Sequence, residues 1–194
     1  MRSIENIKFS NDIKNLIKEC ISKTKSTQIE HGFGLCSNGE ISASKKGIIK
    51  GEGHQINLTT PGSCNNGHLG DFHVHPNVNS LKEIYSKSEL SDLLSFDEWV
   101  DINLTKLDEF IIPEPSTGDL ASMLVSKAKG ISEGFECIGN DINEKQVICY
   151  VPKSQMPKDI VLELIDIFNK KDERMYEKPK KDVLKWFDKK EIEL

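Results

Sequence analysis

Residues 71–76 read Asp-Phe-His-Val-His-Pro. Apolar and polar side chains alternate there, and a period of two is the signature of an extended strand. On such a strand Phe72 and Val74 project to one face, toward a core, while His73 and His75 project together from the other. The preceding "PGSCNNGHLG" holds three glycines and a proline and reads as loop. Pro76 then ends the strand, because it has no N–H for a ladder. Two imidazoles held side by side by stiff backbone are half of a metal site. They are a poor arrangement for chemistry that needs both rings charged.

Around this strand the hydrophobic period changes several times. "IENIKFS" alternates in part and reads as a short strand. In "NDIKNLIKECISKTK", Ile13, Leu16, Ile17, Cys20 and Ile21 recur on one helical face, with Ser10, Asn11 and Asp12 as capping candidates. "EHGFGLCSNGEISAS" reads as two strands joined at Asn38-Gly39, a hairpin signal, and "KGIIKGEGHQINLTT" as further extended chain. "SLKEIYSKSELSDLLSFDEWV" has helical periodicity through Leu81, Ile84, Leu90, Leu93 and Leu94, whereas "DEFII" reads as a strand. "PSTGDLASMLVSKAKG" is a capped helix ending at Gly130. "FECIGN" and "KQVICYVP" form a hairpin around "DINE". After Pro157 the chain turns helical, with Val161, Leu164, Ile165 and Phe168 in one stripe. This order of elements predicts an α/β (α+β) fold, a central sheet flanked by helices.

The chain has 194 residues with 37% hydrophobic content, enough for one domain with a sizeable core. A formal net charge of -5 lacks the basic balance of a nucleic-acid binder. No apolar run approaches the roughly 20 residues of a membrane span, and "MRSIENIKFSND" has no secretory h-region. These features predict a cytoplasmic protein with no nucleic-acid and no membrane partner. The cysteine number, five, is odd, and no pair has C-x-x-C spacing, so reduced thiols are expected. Cys20, Cys36, Cys137 and Cys149 read as small core residues and Cys64 as an exposed loop residue.

Further potential ligands lie up and down the chain. Ser116-Thr117-Gly118-Asp119 stands at the mouth of a predicted helix. That pattern is also a capping box, in which serine and acid satisfy the first helical N–H groups. Glu30 heads the first hairpin strand, with Glu40 a competitor beyond the turn. His31 and His68 read as loop histidines, and His54 has no assigned role. Taken in order, Glu30, His73-x-His75-Pro76 and Ser116-x-x-Asp119 resemble the JAMM signature of the MPN/JAB-domain zinc metalloproteases. The elements between them resemble the family's helix-then-strand opening and its helix-to-strand passage after the aspartate. The likeness covers about residues 5 to 76 and 111 to 152.

The resemblance implies a cytidine-deaminase-like MPN/JAB fold with a central mixed sheet. It implies a catalytic domain over 1–152, a helical insertion at 77–112 and a C-terminal helical extension at 153–194. His73, His75 and Asp119 would bind Zn²⁺ with water in the fourth place, lowering the water's pKa and polarising the scissile carbonyl. Glu30 would act as general base and then acid, and Ser116 would donate to the developing oxyanion. The implied reaction is hydrolysis of a peptide or isopeptide bond, with a ubiquitin-like protein conjugate as the usual substrate. The 39 residues between Pro76 and Ser116 exceed the family's usual spacing by roughly thirty, at small closure cost. They predict a lid or substrate-recognition element, against the alternative of an ornamental surface helix. Asp92, four residues after Ser88 and not three, fits the S-x-x-D spacing worse than Asp119. The helices after Pro157 are candidates for a homodimer or partner interface. Two other readings stay open. One is an MPN scaffold without catalysis. The other is a PHP-type or amidohydrolase site, which needs further histidines that this chain lacks after His75.

Overall fold

The computed structural model describes residues 3–52, 56–58, 62–65 and 67–194. Ser10 accepts a hydrogen bond from the Ile13 N–H and starts helix α1, Asn11–Thr27. The helix stops where Gln28 takes a left-handed conformation, φ 56°. The chain then enters β1 (His31–Asn38), turns into β2 (Glu40–Ala43) and returns as the short β3 (Ile49–Lys50). The strand with the two histidines is β4, His68–His75. Two helices follow, α2 (Val78–Ser86) and α3 (Phe96–Asn103), then the single turn α4 (Asp108–Ile111). Helix α5 (Thr117–Ala128) leads through Gly130 at φ 69° to the hairpin β5 (Ser132–Asn140) and β6 (Gln146–Pro152). Helix α6 (Lys158–Lys170), the turn α7 (Lys181–Leu184) and strand β7 (Phe187–Glu193) complete the chain.

The strands form one mixed sheet in the order β2-β1-β4-β5-β6-β7, with β3 paired to β1. Among the described residues only β4 and β5 run parallel, and the other pairings are antiparallel. A parallel neighbour requires the chain to cross over the sheet between the two strands. Everything from Asn77 to Ile131, including α5, is that crossover.

Helices cover both faces, so the architecture is the helix-flanked α/β sheet that the sequence predicts. On one face Ile13, Ile17, Cys20 and Ile21 of α1 pack against Phe33, Leu35, Phe72 and Val74. On the other, Leu120, Ala121 and Leu124 of α5 and Leu164 of α6 pack against Ile138, Ile148 and Tyr150. Phe72 and Val74 are fully buried on the α1 side. The pleat therefore turns His73 and His75 toward α5.

Several local expectations are corrected. "IENIKFS" holds a single 3-10 turn, Ile4–Asn6, whose carbonyl of Ile4 accepts from the Ile7 N–H; local bonds replace a sheet partner. "DEFII" is a helical turn, and the long insertion pattern divides into α2 and α3 at Lys87–Ser95. There Ser95 and Glu98 form a capping box that starts a new helix. The insertion has its own aromatic packing of Tyr85, Phe96 and Trp99. The C-terminal segment is not wholly helical: β7 pairs along β6 from Gln146↔Glu193 to Pro152↔Phe187.

The thiol expectation is also corrected. Cys36 is disulfide-bonded to Cys64, and Cys137 to Cys149, leaving Cys20 as a buried free thiol. Cys137 and Cys149 are register partners on β5 and β6, with Cα atoms 4.0 Å apart. Their spacing in sequence gives no sign of this, because pairing is a property of strand register. Cys64 is buried, not exposed. The pairing removes the thiol argument for a cytoplasmic protein.

Two outcomes are expected. Phe72→Ala, which empties a site packed at 5.2 Å against the Phe33 ring, lowers stability by about 3–5 kcal/mol in urea denaturation. Alkylation of the unfolded, unreduced protein labels one cysteine, Cys20, and alkylation after reduction labels all five.

Candidate metal centre

His73 and His75 leave the sheet on the same face, and their Nε2 atoms lie 2.9 Å apart. Two bare nitrogen lone pairs repel at that distance, so either one ring carries an N–H that donates to the other or a metal ion joins them. Helix α5 brings a carboxylate to the same place. Asp119 Oδ1 lies 3.5 Å from His73 Nε2, and Oδ2 lies 3.3 Å from His75 Nε2. Glu30 reaches in from the start of β1. Glu30, His73 and His75 each offer a ligand atom within 4.8 Å of the others, a group able to hold a metal ion.

Two carboxylates thus compete for the third position beside the histidines. Asp119 has the closer approach, since both its oxygens face a ring nitrogen. Its orientation is also braced. Asp119 Oδ2 accepts from the Ser116 N–H at 2.7 Å, and the Asp119 N–H donates to Ser116 Oγ at 3.1 Å. The capping box and the site are one structure. Capping uses lone pairs of Ser116 Oγ and leaves its O–H able to donate.

Glu136 is the residue that sequence reasoning missed. It lies on β5 in register with Asp71, buried, and its Oε1 accepts from His73 Nδ1 at 3.0 Å. A carboxylate on Nδ1 puts the ring proton there and leaves Nε2 to face the site. The available signal was an acid inside the apolar run "GFECIG", on a strand otherwise built for burial.

The charges are tightly linked. Burial works against an imidazolium at His73, but the Asp119 and Glu136 carboxylates outweigh it and hold the ring well above its ordinary pKa. Burial likewise opposes ionisation of Asp119, and His73 and His75 outweigh it, holding that carboxyl well below its usual range. Burial pushes Glu136 up to about 8, against its hydrogen bond to His73. The pocket therefore favours a cation at the ring nitrogens.

A divalent metal suits this donor set. Bonds of about 2.0–2.1 Å in a tetrahedron place ligand atoms about 3.3 Å apart. The ring nitrogens lie 2.9 Å apart, and each has a different Asp119 oxygen near it, Oδ1 at 3.5 Å from His73 and Oδ2 at 3.3 Å from His75. Nitrogen and carboxylate oxygen are the donors Zn²⁺ accepts, and Glu136 supplies the outer carboxylate that commonly orients a ligating histidine.

The site opens into a cleft of about 1300 Å³, lined by Glu30, His73, His75, Ser116, Asp119 and Glu136. Glu109 and Ile112, from the end of the insertion, line it too. Gly32, in register with His73, lets β1 approach this closely; a Cβ there would lie 2.8 Å from His73 Cβ. Glu40 and Asp92 are exposed and take no part in the lining. His31 and His68 are not loop residues. His31 is buried at the start of β1 against Thr24, and His68 is buried in β4 against Ser63. His54 lies outside the described residues.

No family model, curated protein or solved structure matches the chain. No helix among the described residues is long and apolar enough to cross a membrane.

Removing the outer carboxylate should loosen the His73 ring. Glu136→Gln is expected to weaken divalent-metal binding about 10- to 100-fold, read by competition with a chromophoric chelator. Unchanged affinity would show that Glu136 does not tune the ligand.

Proposed function

We propose that the chain is a JAMM-type zinc metallo-(iso)peptidase, with a ubiquitin-like protein conjugate or a peptide as substrate. The observation that carries this reading is the approach of Asp119 to both His73 and His75. Three parts of a signature, each weak alone, meet around one point in the order the resemblance implies.

In this reading His73, His75 and Asp119 hold the metal, and Glu30 stays outside the ligand set. Bound Zn²⁺ supplies Lewis-acid polarisation of the scissile carbonyl and acidifies water near neutrality. Glu30 accepts a proton from the attacking water on its carboxylate and passes it to the leaving nitrogen. The Ser116 O–H donates to the oxygen that gains charge as the carbonyl carbon becomes tetrahedral. Its position at a helix start adds the partial positive charge of the α5 N-terminus. Glu136 keeps the His73 proton on Nδ1 throughout. The insertion borders the cleft through Glu109 and Ile112, which supports a role in admitting or gripping the substrate.

Two substitutions separate the roles. Glu30→Gln is expected to retain about one zinc per chain by elemental analysis and to lose at least 100-fold in cleavage rate on ubiquitin-like conjugates. Asp119→Ala is expected to lose both zinc and cleavage, and to lower stability slightly, because the Ser116 N–H loses its partner while the Ser116 cap itself stays. A Glu30→Gln protein that cleaves like an active parent sinks the assignment. A folded parent that refuses zinc points instead to a scaffold.

A further inference from the structure

Asp141 lies in the turn after β5 and is wholly buried, yet no part of the metal centre uses it. Its carboxylate collects three donors from two distant segments. Oδ1 accepts from the Asn77 N–H at 2.8 Å, and Oδ2 accepts from the Val78 N–H at 3.3 Å and from Gln28 Nε2 at 2.7 Å. Gln28 completes the link, because its Oε1 accepts from the Asn79 N–H at 3.0 Å. Its amide also donates back to the Lys25 carbonyl at 3.1 Å, anchoring it to the end of α1.

These contacts perform a task that α2 cannot perform for itself. Asn77 stands at the N-cap of α2 without a side-chain capping bond. The first N–H groups of a helix have no partner within it. Here Asp141 and Gln28 satisfy them from outside. The two segments so joined are the flanks of the metal centre. Gln28 precedes Glu30 by two residues, and Asn77 follows His75 by two. The Asp141 N–H also reaches the His75 carbonyl at 3.4 Å. The far end of the insertion returns to the same turn: the Phe110 carbonyl accepts from Asn140 Nδ2 at 2.6 Å and Asn77 Nδ2 at 3.3 Å.

We propose that Asp141, acting with Gln28, is a positioning residue for the metal centre: a buried latch that sets Glu30 and His75 relative to each other and fixes where the insertion leaves the sheet. This rests on the metal-binding reading above. Asparagine at this position keeps the shape but offers one acceptor oxygen to three donors, so it opens the latch. Alanine at Gln28, a half-buried position, removes the bridging amide alone.

The test is zinc affinity of the full chain, by chelator competition, with circular dichroism and thermal melting alongside. Asp141→Asn is expected to weaken zinc binding about tenfold while the protein stays folded. Gln28→Ala is expected to give a smaller loss. The double variant is expected to lose no more than Asp141→Asn, because residues of one network are not additive. Unchanged zinc affinity in folded Asp141→Asn, even with a lower melting temperature, overturns the positioning role. So does full additivity of the two losses. If Asp141→Asn fails to fold, Gln28→Ala decides: unchanged affinity in that folded variant overturns the latch. A parent that binds no zinc removes the metal reading and the latch together. A zinc-binding parent with unaffected variants removes the latch alone.

Discussion

The burial of Phe72 and Val74 is the constraint on which the rest depends. Both side chains are fully enclosed between β4 and helix α1, and exposing either would forfeit about 1.5–3 kcal/mol of transfer free energy. A slip of one residue in β4 would turn both outward and both imidazoles into the core. The apolar residues therefore hold the polar ones in place. His73 and His75 face α5 because their neighbours cannot.

The second half of the centre has a different physical origin. Asp119 reaches the rings because β4 and β5 run parallel, which forces a crossover, and because α5 packs its apolar side on β5 and β6 during that crossover. The start of α5 then falls at the end of the sheet where β4 finishes. Ser116 and Asp119 are already tied by reciprocal capping bonds. The helix end comes with its carboxylate oriented, and the cost of ordering that side chain is met by capping. Tyr150 adds a fixed point, donating from a buried hydroxyl to the Pro113 carbonyl at 3.0 Å just before the cap. A long insertion is compatible with this arrangement because both its ends are fastened at Asn140 and Asp141. Its length alters the rim of the cleft and leaves the floor alone.

Much of this was legible from residues alone, and the readable parts share a cause. The α1 stripe, the 71–76 alternation, the α5 cap and the β5–β6 hairpin are local patterns whose period or turn chemistry reports structure directly. The misread parts depend on partners far away. Residues 4–10 alternate weakly, and nothing local shows that no strand pairs with them. Residues 108–112 are apolar enough for a strand but end at a proline and close a helical turn. The Cys137–Cys149 pair exists because two strands share a register. Glu136 is an acid in a buried strand, and only its 3.0 Å contact with His73 explains it.

By itself the amino-acid sequence determined the candidate donors, their order along the chain and the face of β4 from which two of them project. Periodicity and capping chemistry are properties of neighbouring residues, so they can be read without coordinates. Only the tertiary structure decided that Asp119 meets the paired rings, that Glu136 stands behind His73, and that Asp141 and Gln28 bind the two flanks of the site together. Those contacts join residues on separate strands and helices. Their distances follow from sheet order, the parallel crossover and helix packing, which no short stretch of chain encodes.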